Sequence, residues 1–175
     1  MADTIEEAST GRASCRFCKE KIEKGALRFG ERVPSAFGEG EQTLWYHLLC
    51  AAERHAEKLS PVLAEYAGEI PDREKLERIV ENGVQNPKLA SVQKVDHAPT
   101  ARAKCQHCHE AIAKGELRVG VDRDTEGQMP AISYIHLTCA PAYLGEVGLK
   151  EKLARLSAGL SEEDAARVAR LGAPA

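Results

Sequence analysis

The sequence has few aromatic residues and no long apolar run. Phe, Trp and Tyr make up 5% of its 175 residues, which excludes a large aromatic core and predicts small units that need further stabilisation. No eighteen consecutive apolar residues occur, so we predict no membrane-spanning helix and no membrane partner. Residues 1–10 are acidic and lack the regions of a signal peptide. These absences predict an intracellular protein.

An excess of positive charge is also missing, since the net charge is −3. Residues 11–58 carry nine Lys and Arg against seven Asp and Glu, whereas residues 101–145 carry five of each. This balance excludes a protein that attracts polyanions by a broad positive field. Any contact with a polyanion must therefore be made by individually placed arginines.

All six cysteines stand in two copies of one pattern, in which Cys-x2-Cys is followed by His-x2-Cys. Three thiolates and one imidazole suit tetrahedral Zn²⁺, and four protein ligands leave no open position for a substrate. Three cysteines per copy is an odd number, which disfavours a disulfide framework. We therefore predict two structural zinc ions, held by Cys15, Cys18, His47 and Cys50 in the first copy and by Cys105, Cys108, His136 and Cys139 in the second.

Two other interpretations concern the second copy. Cys105-Gln-His-Cys108-His109 matches a c-type haem attachment pattern, but that chemistry requires export, and the first copy has Lys19 in the haem-ligand position. His107 and His109 could compete as zinc ligands. We favour His136, because it is the counterpart of His47.

The repeat predicts an α+β chain of two tandem, small, zinc-stabilised domains. Each has a short antiparallel sheet, a zinc knuckle and flanking helices. Asp72 and Ser161 are suitable N-caps for a terminal helix in each copy, with Gly83 as the C-cap of the first. The expected division is a disordered leader over residues 1–10, a first finger with its terminal helix over 11–85, a linker over 86–100 and a second finger with its terminal helix over 101–175.

Residues 26–33 alternate as a half-buried strand. Leu27, Phe29 and Val33 have one parity, while Arg28 and Arg32 have the other. We therefore expect the two arginines to share an outward face. A second strand over residues 43–47 delivers His47.

Taken together, three motifs resemble the zinc finger of the poly(ADP-ribose) polymerase family, which is also found in DNA ligase III. These are Gly-Arg-Ala-Ser-Cys-x2-Cys over residues 11–18, Ile-Glu-Lys-Gly-Ala-Leu-Arg over residues 22–28 and Trp-Tyr-His-x2-Cys over residues 45–50. The gap between the cysteine pair and the His-x2-Cys pair is 28 residues in the first copy and 27 in the second. Cys2His2 fingers have a much shorter gap.

The resemblance implies recognition of DNA strand breaks or ends, with basic residues gripping the backbone and apolar loop residues stacking on the exposed base pair. The resemblance and the placement of charge together give the expected DNA-contact residues: Arg12, Arg16, Arg28, Arg32, Phe37, Leu44, Arg102 and Arg118. Phe37 and Leu44 are the two candidates for stacking. In the second copy Asp122 replaces Arg32, and the loop has Met129 instead of an aromatic residue. We therefore expect the second finger to bind DNA more weakly.

The predicted function is a zinc-dependent, monomeric DNA-binding protein that acts without base-sequence readout. It would be cytoplasmic or in the nucleoid of a bacterium, or nuclear in a eukaryote. The alternative is a zinc-stabilised adaptor that docks a DNA-repair or chromatin protein. An enzyme is not expected, because the metal sites are closed and the sequence has no P-loop, nucleotide-binding glycine motif or nucleophile elbow. Nor do the two repeats leave room for an ADP-ribosyl transferase domain.

Overall fold

The computed structural model describes residues 2–35, 38–123 and 131–171, and the side chain of Arg123 is outside that description. The chain divides into two compact units, Met1–Gln85 and Asn86–Ala175. Each unit combines a three-stranded sheet with helices, and the neighbouring strands are antiparallel. The predicted α+β class is confirmed.

The first unit has the strand order β1-β2-β3. Its core lies between one face of this sheet and the helices, where Phe29 and Leu59 are fully buried and Tyr46 is 5% exposed. Phe29 thus supplies the core position that strand alternation predicts. The elements are the strands β1 (Thr4–Glu7), β2 (Leu27–Pro34) and β3 (Glu41–His47) and the helices α1 (Leu48–Arg54), α2 (Ala56–Glu65) and α3 (Arg73–Gln85).

The second unit has the strand order β4-β5-β6. Val119 and Ile135 are fully buried on its sheet and share one core with Leu153 of the helical region. The elements are the strands β4 (Val92–His97), β5 (Leu117–Arg123) and β6 (Ala131–His136), the helices α4 (Ala140–Leu144), α5 (Leu149–Leu156) and α6 (Glu162–Ala169), and two 3-10 turns at Pro87–Ser91 and Leu137–Cys139.

The expected disordered leader and interdomain linker each contain a strand, so both expectations are corrected. In the leader, β1 pairs antiparallel with β2, and Ile5 lies opposite Phe29 with 9% exposure. In the linker, β4 pairs with β5, and Val95 lies opposite Val119. Both segments are short and polar, so composition alone suggests no order. Each nevertheless satisfies backbone groups on one side of a central strand and adds an apolar side chain to the core.

The two predicted terminal helices are present, and Ser161 caps α6 by accepting a hydrogen bond from the Asp164 backbone N–H at 3.2 Å. Gly83 does not end α3, which continues to Gln85. Instead, Gly83 is a packing position, since an added Cβ would lie 2.5 Å from Ala56 Cβ. Among the described residues, no helix is long and apolar enough to cross a membrane.

Gly30 in β2 leaves room for the Trp45 ring on the neighbouring strand. A Cβ at Gly30 would lie 2.7 Å from Trp45 Cζ3 and 2.9 Å from Thr43 Cγ2. Such distances force neighbouring groups to move. Gly120, the counterpart in β5, is less constrained, since its nearest atoms are Lys94 Cγ at 3.0 Å and Ile132 Cγ2 at 3.2 Å.

We predict that Gly30→Ala lowers the free energy of unfolding of the first unit by about 1–3 kcal/mol through overpacking. Because the chain has one tryptophan, chemical denaturation followed by Trp45 fluorescence reports on this unit. Gly120→Ala is the matched control, and circular dichroism follows both variants. We expect a smaller loss in the control, because the side chains of Lys94 and Ile132 can yield. An equal loss in both variants would contradict this packing argument.

Candidate metal centres and basic surface

The first metal centre begins at the turn that carries Cys15 and Cys18. This turn is closed by the Cys15 N–H donating to the Glu20 carbonyl at 2.8 Å and the Lys19 N–H donating to the Cys15 carbonyl at 3.0 Å. Lys19 has φ +66°, the left-handed conformation that a tight reversal requires. The chain thus turns both thiols towards one point.

His47 and Cys50 complete the first centre from the end of β3 and the first turn of α1. His47 Nδ1 lies 3.4 Å from Cys18 Sγ and 3.8 Å from Cys50 Sγ. Its Nε2 lies 3.2 Å from the Lys21 carbonyl oxygen. Donation of Nε2–H to that carbonyl leaves Nδ1 unprotonated and oriented as a metal ligand.

The second centre repeats this arrangement at the end of β6. His136 Nδ1 lies 3.3 Å from Cys108 Sγ and 4.0 Å from Cys139 Sγ, and His136 Nε2 lies 3.4 Å from the Ala111 carbonyl oxygen. The competing histidines, His107 and His109, are exposed and outside the cluster of potential metal ligands.

The donor sets fit a tetrahedral zinc ion. In each centre the four ligand atoms lie within 4.8 Å of one another. Tetrahedral bonds of about 2.3 Å to sulfur and about 2.0–2.1 Å to nitrogen place adjacent ligand atoms roughly 3.5–3.8 Å apart. The sulfur–nitrogen distances of 3.3–4.0 Å agree with that geometry. The protein therefore has two Cys3His sites suited to structural zinc, one in each unit.

The electrostatics of the thiols also call for a cation. Burial raises the pKa of Cys15 and Cys105, but hydrogen bonds from backbone N–H groups outweigh it and lower these values to about 7 and about 6. Burial and the neighbouring thiols raise the pKa of Cys139 to about 11 and also raise that of Cys50. At neutral pH the full thiolate set is therefore stable only beside a cation.

The eight expected DNA-contact residues have different environments. Arg12, Arg16 and Arg102 are exposed, while Arg32 and Leu44 are half-buried. Leu44 packs against the core of the first unit. The positions of Phe37 and of Met129 are outside the described residues. Arg28 and Arg118 are only 7% and 5% exposed, so the expected outward exposure of Arg28 is wrong.

Arg28 is buried because an aromatic ring covers it on the face of the sheet opposite Phe29. Its guanidinium carbon lies 3.6 Å from the centre of the Trp45 ring, and Nη2 donates to Glu6 Oε1 at 2.6 Å. Arg118 has the same arrangement in the second unit. Its guanidinium carbon lies 3.5 Å from the centre of the Tyr134 ring, and Nε donates to Asp96 Oδ1 at 2.8 Å. Each sheet therefore holds an arginine between an aromatic ring and a carboxylate.

Sequence reasoning missed both of these carboxylates and a further arginine. Glu6 and Asp96 fall in segments expected to lack structure, so only strand pairing brings them to Arg28 and Arg118. Arg54 lies in α1, with its guanidinium carbon 4.7 Å from the centre of the Phe17 ring. Its position four residues after the ligand Cys50, beside the zinc knuckle, is the sequence feature that could have marked it as a candidate contact residue.

Two closed Cys3His centres, each at the end of a three-stranded antiparallel sheet, define a tandem zinc-finger protein. Residues 6–86 match the family model for the poly(ADP-ribose) polymerase and DNA-ligase Zn-finger region. The match makes this part of the chain similar to that family and confirms the resemblance found in the sequence. The second unit repeats its ligand pattern and its sheet.

Similar curated proteins include poly(ADP-ribose) polymerases and a phosphatase. The chain is 26% identical to poly(ADP-ribose) polymerase of Sarcophaga peregrina, over 82% of this chain and 17% of that protein. It is 29% identical to poly(ADP-ribose) polymerase 1 of Gallus gallus, over 65% of this chain and 13% of that protein. The chain is 26% identical to polynucleotide 3'-phosphatase ZDP of Arabidopsis thaliana, over 81% of this chain and 24% of that protein. The matches thus cover a quarter or less of each relative.

We predict that the protein binds two zinc ions and that strong chelation unfolds it. Structural zinc contributes about 10–16 kcal/mol in isolated finger peptides, which is as large as the roughly 5–15 kcal/mol by which a typical domain is stable. Cys50→Ser should leave one zinc ion and unfold the first unit only. Atomic absorption gives the zinc content, and Trp45 fluorescence follows the first unit.

His109→Asn is the control, because it changes an exposed histidine beside a ligand and Asn also adopts the left-handed conformation of that position. This variant should retain two zinc ions. Loss of zinc from it, or full zinc retention in Cys50→Ser, would contradict the assigned ligand sets.

Proposed function

We propose that the protein binds DNA at strand breaks or ends through phosphate contacts and base stacking, without reading base sequence. The match of residues 6–86 to the zinc-finger region of poly(ADP-ribose) polymerases and DNA ligases supports this. The name of the Arabidopsis relative also refers to the 3' position of a polynucleotide. In this proposal the two zinc centres stabilise the fold, because four protein ligands leave no site for catalysis on the metal.

The observation that carries the proposal is a set of arginines around the first zinc centre. Arg12 and Arg16 are exposed on either side of Cys15. The Arg16 N–H donates to the Trp45 carbonyl at 2.8 Å, which fixes the knuckle to β3. A fixed backbone presents these side chains at a defined spacing, and arginine suits phosphate because its fork of donors matches phosphate oxygens.

Arg12 has a counterpart in Arg102, but three other arginine positions of the first unit are not basic in the second. The residue after the first cysteine is Arg16 in one unit and Gln106 in the other, and the fourth residue after the last cysteine is Arg54 or Tyr143. Asp122 replaces Arg32. In the second unit the three replacements line one cavity of about 620 Å³. We infer that the first unit supplies most of the phosphate contacts.

We assign base stacking to Phe37 in the connection between β2 and β3. Strand β2 ends at Pro34 and its antiparallel neighbour β3 begins at Glu41, so Phe37 falls in the short sequence that joins them. The competing candidate, Leu44, lies within β3 and packs against the core, which leaves it less available to a base. Stacking on an aromatic ring suits end recognition, since it is indifferent to base identity.

We infer a binding protein and not an enzyme, acting as a monomer inside the cell. Its second candidate function, docking of a repair or chromatin protein, is favoured by a groove of about 600 Å³ in the first unit. Leu48, Ile70 and Leu76 line this groove, and Leu49 beside them is 48% exposed. Exposed apolar surface of this kind is suited to protein contact.

We predict that Arg12→Ala and Arg16→Ala weaken binding to a duplex with one open end, in proportion across unrelated sequences. Each lost phosphate contact should reduce the salt slope by about 0.9 and the affinity by roughly three- to tenfold at moderate salt. Fluorescence anisotropy of the zinc-loaded protein measures both quantities. A duplex of the same sequence closed by hairpins at both ends is the competitor that tests end preference.

Arg78→Ala is the matched control, because it removes an exposed arginine from α3, outside the zinc knuckle. It should bind DNA like the wild type. An equal loss of DNA affinity in all three variants would show that the effect comes from net charge and not from placed contacts. Equal binding of open and closed duplexes would remove the preference for ends, and failure to bind either DNA would leave the docking function as the better explanation.

A further inference from the structure

The arginine between Trp45 and Glu6 has more hydrogen-bonding capacity than its partners use. A guanidinium offers five N–H donors. Nη2 of Arg28 donates to Glu6, whereas its Nε is buried and has no hydrogen-bond partner. The Trp45 ring holds the guanidinium plane in place. Arg28 is therefore a desolvated, oriented cation with part of its donor fork unsatisfied.

The carboxylate that holds Arg28 is accessible to solvent. The Glu6 side chain is 46% exposed, although that of Arg28 is only 9% exposed. A carboxylate and a phosphate present similar oxygen acceptors to a guanidinium. If the Glu6 side chain turns outwards, an oxygen of an incoming phosphate can take the position of Oε1 without movement of the sheet.

The second unit holds its arginine more completely. Asp96 accepts from Arg118 Nε at 2.8 Å and from Nη2 at 3.4 Å, and it also accepts from Lys94 Nζ at 2.6 Å. The Asp96 side chain is 30% exposed, less than that of Glu6. These contacts make Asp96 the more firmly bound of the two carboxylates.

We infer that Glu6 and Asp96 each occupy a phosphate-binding site in the free protein, and that a DNA backbone phosphate displaces Glu6 more readily than Asp96. This inference rests on the proposed function and deepens it. The phosphate contact of Arg28 is already expected from the resemblance; the new element is that the carboxylate on the first strand of each sheet competes for the arginine and determines which unit binds DNA. No covalent bond is made or broken, since one hydrogen-bond acceptor replaces another.

The test uses Glu6→Gln, which keeps the shape of the side chain and removes its charge. Glu7→Gln is the matched control, because this substitution removes the same charge from the same strand. Glu7 is also exposed on β1 and makes no described contact with Arg28. Inorganic phosphate is the first probe, added at constant ionic strength and followed by the fluorescence of Trp45, which lies against Arg28. An open-ended duplex is the second probe.

We expect Glu6→Gln to bind both probes roughly two- to fivefold more tightly than wild type, because removal of a partly exposed competing ion pair changes the free energy by up to about 1 kcal/mol. Glu7→Gln should change binding by less than about twofold, through screened long-range charge alone. Asp96→Asn should increase DNA binding in a protein that already carries Arg16→Ala, because it makes Arg118 available. Zinc content and thermal unfolding confirm that each variant is folded.

The outcomes separate this inference from the proposed function. Tighter phosphate binding by Glu6→Gln without DNA binding by any form would retain the anion site and refute DNA recognition. Equal effects of Glu6→Gln and Glu7→Gln would overturn the inference, because they would show a general charge effect. DNA binding that is unchanged in Glu6→Gln would also overturn it and leave the proposed function intact.

Discussion

Coordination of one cation by three thiolates and an imidazole is the constraint on which each unit depends. The ligands come from a turn, from the end of a strand and from the residues just after it, and 28 or 27 residues separate the cysteine pair from the histidine. A shared metal ion stabilises the close approach of these side chains, because three thiolates without a cation repel one another. Once they converge, the central strand and its hairpin partner are fixed in register. The scarcity of aromatic residues is tolerated for the same reason.

A second interaction joins the first strand of each sheet to the centre. Arg28 and Arg118 lie against aromatic rings and pair with carboxylates on β1 and β4. Burying a guanidinium is costly unless it is paired, so these carboxylates support the fold in the free protein. We propose that a phosphate can meet the same need, so that one arrangement both supports the fold and binds an anion.

The two units show how a common scaffold can carry different surfaces. Ligands, strand order and the buried arginine are shared, because each is required for the zinc-supported sheet. Residues around the knuckle are free of that requirement, and there the second unit has Gln106, Asp122 and Tyr143 in place of arginines. The repeat is thus preserved where it supports structure and differs at three positions beside the knuckle, where we propose that the first unit contacts DNA.

Residue type and short spacing were enough to predict the two ligand sets, the repeat, the α+β class and the central strand of the first unit. These features can be recognised in the sequence before the fold is known. The order of residues 4–7 and 92–97 could not be predicted in this way, because it arises from pairing with a distant strand. The tertiary structure also decided the burial of Arg28. Alternation correctly placed this residue opposite Phe29, but could not show that Trp45, seventeen residues away along the chain, covers that face.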